Sequence, residues 1–243
     1  MHCEAYGDSQ NPTIVFLHGA NFVHAFGRQY VLSDRFHLLV PHIMGYGDEA
    51  DRIFDAEEAT AELAAFMRAL ENKVSLIGFS LGAQLAVKLI AEHPNLFHKA
   101  ILVSPWLIKE EPERSRVMAM NKKQWDSMKK PFVCNLIGMM NGLPTPQRKA
   151  FVEQMQHVRY ETLQNMVDNG ITLETIPGFA TADLPMMALA GVKEPPSMID
   201  SVRALGAMNA HCKVEIWDKA GHNIPPVFAK RFNRLIADFI GSS

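Results

Sequence analysis

The 243-residue chain is short of the features that mark several protein classes. Cysteine is scarce, with Cys3, Cys134 and Cys212 the only three. Their odd number, wide separation and lack of C-x-x-C pairing speak against a disulfide framework and against a zinc or thiol-redox motif, so reduced thiols are expected. Long apolar runs are missing, since none approaches the roughly 18 residues a membrane span needs. The start, Met1-His2-Cys3-Glu4, lacks the charged-then-apolar pattern of a leader segment. A cytoplasmic protein with no membrane partner is the expectation. Excess charge of either sign is lacking too: 24 Lys and Arg face 26 Asp and Glu, for a formal net charge of −2. With no continuous basic stripe along the sequence, nothing electrostatic points to a nucleic acid. Internal repeats and strong compositional bias are also missing. A content of 48% hydrophobic and 21% charged residues suffices for one sizeable core.

What is present is an alternation. Short apolar runs at residues 13–17, 36–40, 74–78, 99–103, 186–190 and 213–217 read as buried strands of a parallel sheet. Helical stripes lie between them. From Asp55 to Glu71, the residues Ala59, Leu63, Phe66, Met67 and Leu70 recur at three- and four-residue spacings, with Asp55, Glu57 and Glu58 at the end of the helix dipole that favours acids. Beyond Gly82, a second stripe of Leu85, Ala86, Leu89 and Ile90 stops near His93-Pro94. A closing helix starts at Pro225-Pro226, with Phe228, Phe232, Leu235 and Phe239 facing inward. Strand alternating with helix predicts an α/β chain: a mostly parallel, doubly wound sheet covered on both faces.

One stretch departs from the pattern. Residues 105–184 show helical periodicity, Pro and Gly breaks and no convincing strand, which predicts a helical cap inserted into a core made of residues 1–104 and 185–243. Seven of the 14 methionines fall in it, including Met139, Met140 and Met155, alongside Trp106, Trp125, Phe132 and Phe151. Such a surface suits irregular apolar ligands, although helices also need an apolar stripe for their own packing.

Chemistry concentrates at three places. Gly78-Phe-Ser80-Leu-Gly82 is a G-x-S-x-G pentapeptide between a predicted strand and a predicted helix. A nucleophilic hydroxyl thrust out on so sharp a turn crowds its flanks, and the small residues two positions either side relieve the clash. Ser80 is therefore the candidate nucleophile. His18-Gly19-Ala20 follows the first core strand, where a backbone N–H can meet a developing oxyanion; the Ala20 amide is one candidate donor and the Leu81 amide, at a helix start, the other. His18 itself reads as a structural residue holding this loop. Ala220-Gly-His222 comes after the last strand and before the last helix, which makes His222 the candidate general base. The triad acid should leave the loop after residues 186–190, and Glu194 is the carboxylate offered there, with Asp200 and Asp183 as alternatives. Asp218, close before His222, reads first as a turn residue.

Together, the H-G-A turn, the G-F-S-L-G elbow, the late A-G-H histidine and the position of the cap resemble the α/β-hydrolase family, in its carboxylesterase-like branch. The resemblance implies an eight-stranded core at full size, with acid and histidine after the last strands. Only about a dozen residues precede the first core strand here, so the leading antiparallel strands must be shortened or partly missing. His42 and Asp48 stand where relatives often carry an acidic residue and a serine, and the acid is Glu rather than Asp. The expected activity is serine hydrolysis of a small apolar ester through an acyl-enzyme, with no metal or cofactor. Two other readings share the fold: a C–C hydrolase, lyase or cofactor-free oxygenase, and a ligand-binding receptor or sensor with slow turnover.

Overall fold

The computed structural model describes residues 1–241. Its strands are β1 (Cys3–Tyr6), β2 (Thr13–Leu17), β3 (His37–Pro41), β4 (Val74–Phe79), β5 (Phe97–Val103), β6 (Met186–Gly191) and β7 (Cys212–Trp217). They form one sheet in the order β1-β3-β2-β4-β5-β6-β7. Every pairing is parallel except that of β1 with β3. The doubly wound sheet expected from the alternation is therefore present, with β1 as a single leading antiparallel strand.

Side-chain alternation along each strand builds two cores. Val15, Leu17, Leu76, Leu102 and Ala188 point to one face, where they meet α1 (Ala56–Arg68), α2 (Leu81–Glu92) and α7 (Pro196–Met208). Ile14, Phe16, Ile77, Phe79, Ile101 and Val103 point to the other, covered by α9 (Ala229–Gly241). Helix α1 begins where Asp55 caps it by accepting the Glu58 N–H at 2.9 Å, and it buries Ala59, Leu63 and Met67. In α9 the fully buried line is Phe232, Ile236 and Ile240, with Phe228, Leu235 and Phe239 packed beside it. The inward face thus differs from the predicted one: Phe232 is shared, while Ile236 and Ile240 replace Leu235 and Phe239 at the centre.

Between β5 and β6 the chain forms α3 (Glu111–Met128), α4 (Pro131–Met140), α5 (Thr145–Met155) and α6 (Tyr160–Val167). This helical segment meets the rest of the chain near the carboxyl ends of the strands. Phe151 of α5 stacks on Phe22 with centroids 4.6 Å apart. The Thr162 hydroxyl of α6 accepts the Phe54 N–H at 3.2 Å. Arg28 donates from Nε to the Gly142 carbonyl at 2.9 Å, and Asn223 donates to the Asn141 side chain. The methionines here are not uniformly turned inward. Met155 is buried, whereas Met120, Met139 and Met140 are exposed. A short helix α8 (Ile224–Val227) precedes α9. Among the described residues, no helix is long and apolar enough to cross a membrane.

Candidate active site

The elbow turns on close backbone approach. A Cβ on Gly78 would lie 2.5 Å from the Gly82 carbonyl oxygen, and one on Gly82 would lie 2.0 Å from that of Leu17. Only glycine lets β4 pass into α2 this tightly. Ser80 between them has φ 54°, the left-handed region that a side chain enters at a cost. Its N–H is tied to the Val103 carbonyl of β5 at 2.8 Å, which holds the strained residue in place.

From that position Ser80 Oγ lies 3.0 Å from His222 Nε2. On the other side of the ring, Nδ1 lies 2.8 Å from Glu194 Oε2. These contacts link residues 142 and 28 positions apart in sequence. The loops after β4, β6 and β7 all open at the carboxyl edge of the sheet, which brings the three together. The bond to a carboxylate places the ring proton on Nδ1, leaving Nε2 free to accept the serine proton.

Glu194 is held from several directions. Its side chain has no exposure to solvent. Oε1 accepts the Gly191 N–H at 2.6 Å and the Ser104 hydroxyl at 2.7 Å. Burial pushes its pKa up, but the bond to His222, the charge on that ring and the Gly191 and Ser104 bonds outweigh it, so the carboxyl stays below its usual range. The alternatives lie elsewhere: Asp200 is exposed and pairs with Arg203 at 3.0 Å, and Asp183 is exposed with His211 at 3.6 Å. Asp218 is exposed as well.

The first-strand loop sits against Ser80. A Cβ on Gly19 would be 3.3 Å from Ser80 Cβ, which places Ala20 next to the elbow. Among the described residues, the Ala20 and Leu81 amides donate to no backbone or side-chain acceptor. Leu81 opens α2, so its amide has no partner in the preceding turn. His18 is fully buried and bridges two loops: Nδ1 meets the Gly19 carbonyl at 2.9 Å, and Nε2 accepts the Ile43 N–H at 3.0 Å. Burial lowers its pKa to about 3, which keeps the ring neutral in this bridging role. His42 is likewise buried, and its Nδ1 accepts the Asp48 N–H at 3.0 Å.

Ser104 carried no sequence signal. It ends β5 with φ 54°, and its hydroxyl reaches Glu194 across 90 residues of sequence. Nothing local marks such a pairing. The polar ties of Asn223 and Arg28 to the helical segment went unread for the same reason.

The sequence model of the Alpha/beta hydrolase family matches residues 14–235, and the chain belongs to that family. Membership supports a hydrolase. Among curated proteins, the chain is 28% identical over 133 residues to the biotin biosynthesis bifunctional protein BioHC of Teredinibacter turnerae, a match covering 51% of this chain and 22% of that protein. The chain thus spans about a fifth of the length of that relative. Among solved structures, it resembles the enol-lactonase from Burkholderia xenovorans LB400 with a TM-score of 0.79 and 17% identity, over 99% of this chain and 96% of that one. It also resembles an esterase from Exiguobacterium antarcticum with a TM-score of 0.80 and 16% identity, over 99% and 95% of the two chains. At these identities the likeness establishes the fold.

Proposed function

We propose that the protein is a serine hydrolase acting on a small apolar ester, with Ser80 as nucleophile, His222 as general base and Glu194 as the acid that orients it. The observation that carries this reading is the unbroken chain from Ser80 Oγ to His222 to Glu194, at 3.0 and 2.8 Å. His222 Nε2 takes the Ser80 proton as Oγ attacks the ester carbonyl. The negative charge on the carbonyl oxygen is met by the Ala20 and Leu81 amides, each such donor being worth about 3 kcal/mol in the transition state. The imidazolium, stabilised by Glu194, returns the proton to the departing alcohol. Water, deprotonated by the same ring, then releases the acid and restores Ser80.

The segment at residues 105–184 acts in this reading as a cap over the acyl site, with Trp106, Phe22 and Phe151 supplying apolar surface. An apolar lining favours medium or aromatic acyl groups over charged ones. The test is covalent labelling with a fluorophosphonate followed by turnover of p-nitrophenyl esters of graded acyl length. Adduct on Ser80 and turnover reduced by about four or more orders of magnitude in Ser80→Ala are the expected results. Folded protein that neither labels nor turns over any ester would overturn the reading. Ligand-induced stabilisation without turnover would favour a receptor instead.

A further inference from the structure

Helix α4 turns an apolar face to solvent. Phe132, Leu136, Met139 and Met140 are 77%, 40%, 54% and 75% exposed. Spacings of four, three and one residues gather them on one side of the helix. The opposite side carries Cys134 and Gly138, both buried, with Arg148 and Phe151 of α5 packed against the glycine. The stripe therefore projects outward and contributes little to the segment's own packing.

The sequence on either side of α4 is predominantly basic. Residues 121–150 contain Lys122, Lys123, Lys129, Lys130, Arg148 and Lys149 against a single acid, Asp126, a local net charge of +5 in a chain whose total is −2. Lys122, Lys123, Lys130 and Lys149 are exposed. Arg148 donates from Nε to Asn135 Oδ1 at 2.9 Å, which fixes its guanidinium at the edge of the stripe.

We propose that α4 is a docking surface for an anionic lipid bilayer, with its apolar stripe entering the boundary between headgroups and acyl chains and the flanking lysines pairing with acidic headgroups. Charge complementarity selects this occupant. A second copy would bring the same +5 segment against itself in a two-fold contact, which is repulsive. The side chains stand out from a single helix rather than lining a groove, which suits a fluid surface that needs no matching shape. The docked face also ends beside the candidate site: Asn141 follows α4 directly and bonds Asn223, the neighbour of His222.

This revises the expectation of no membrane partner. That expectation rested on the lack of a spanning run and of a leader pattern. A ten-residue helix lying on a bilayer needs no spanning run. The basic residues near it fall in three pairs, at 122–123, 129–130 and 148–149, none of them in α4 itself, and the acidic remainder of the chain cancels them in the total.

The full-length chain is sedimented with phosphatidylcholine vesicles and with vesicles in which phosphatidylglycerol replaces part of the phosphatidylcholine. Binding to the anionic vesicles alone, weakened by salt, is expected. Lys130→Glu and Lys149→Glu should each weaken partitioning about fivefold or more. Phe132→Asp with Met140→Asp should abolish it, while circular dichroism and the melting temperature hold. No preference for anionic vesicles, or binding indifferent to the Asp pair, overturns the proposal. So does a two-copy solution mass that falls to one copy in the Asp pair, which would assign the face to self-association. Binding of polyglutamate without binding of vesicles would assign it to an acidic protein, and equally overturns the lipid surface.

Discussion

Strand β4 and helix α3 are opposites: every residue of β4 is buried, and none of the 18 residues of α3 is. The sheet is held by continuous ladders and by burial on both faces, so the residues at its carboxyl edge stand in fixed places. The helical segment is less even: Phe151, Met155 and Val158 are buried in the core shared with the sheet, and the Phe151–Phe22 stack and a few long-range polar ties add to them, while α3 buries nothing. Another such tie joins Lys109 of the β5–α3 connection to Asn169, which donates to Gln84 of α2 at 2.8 Å. The contrast assigns positional precision to the sheet and adaptability to the segment above it.

The comparison would break most visibly at Gly82. An added methyl there meets the Leu17 carbonyl oxygen at 2.0 Å, backbone against backbone, with nothing free to move. Gly82→Ala is expected to cost about 3 kcal/mol or more, read as a shift in the urea midpoint. An unchanged midpoint would show that the elbow is looser than its geometry. Ser104→Ala is expected to come next. It removes one bond to a buried carboxylate, worth about 2 kcal/mol or about thirtyfold in kcat/KM. Loss of that donor raises the Glu194 pKa, so activity on the acid side should fall away at a higher pH than in the parent. A uniform loss of activity without displacement of that limb would make Ser104 a packing residue only.

Phe151→Leu samples the other region. Loss of the stack on Phe22 should cost about 1 kcal/mol. Because Phe151 touches the segment's contact with the core rather than the triad, KM for apolar esters should move more than kcat. Glu4→Gln is the smallest and concerns the sheet edge. The approach of His42, whose Nε2 lies 3.4 Å from Glu4 Oε1, is the main reason the Glu4 carboxyl is lowered to about 2. A folded pKa below the unfolded one contributes stability that is full above the ordinary carboxylate range and is lost as pH falls toward 2. Glu4→Gln should therefore lower stability modestly at neutral pH and converge with the parent as pH falls toward 2, which flattens the acid limb, as pH-dependent urea titrations would show.

The same contrast explains what could be read from sequence. All six predicted strands are present within a residue or two of their expected ends, because a short continuous apolar run is a local signal. Ser80, Glu194 and His222 could be singled out as candidates because each follows a strand that announces itself, and the structure brings the three side chains together. Strand β1 was not: four residues at a sheet edge, only partly buried, leave too short a pattern. Helix α7 was not read either; Pro196 opens it at the first helical position, where proline is tolerated. The Ser104 bond and the exposed side of α4 depend on what lies opposite in space, and no window of neighbouring residues contains that information.

Two serines at positive φ end adjacent strands, and each is fastened one strand further along: Ser80 to Val103 of β5, and Ser104 to Leu189 of β6. Glu194 is then fixed by Ser104 and by Gly191, the last residue of β6. The span from Ser80 to Glu194 is thus ruled off in units of the interstrand repeat, about 4.8 Å each. A gauge of that kind does not depend on the loops or on the helices above them. Evolution, or a designer, could exchange the sequence of α3, which buries none of its residues, and leave the ruler untouched.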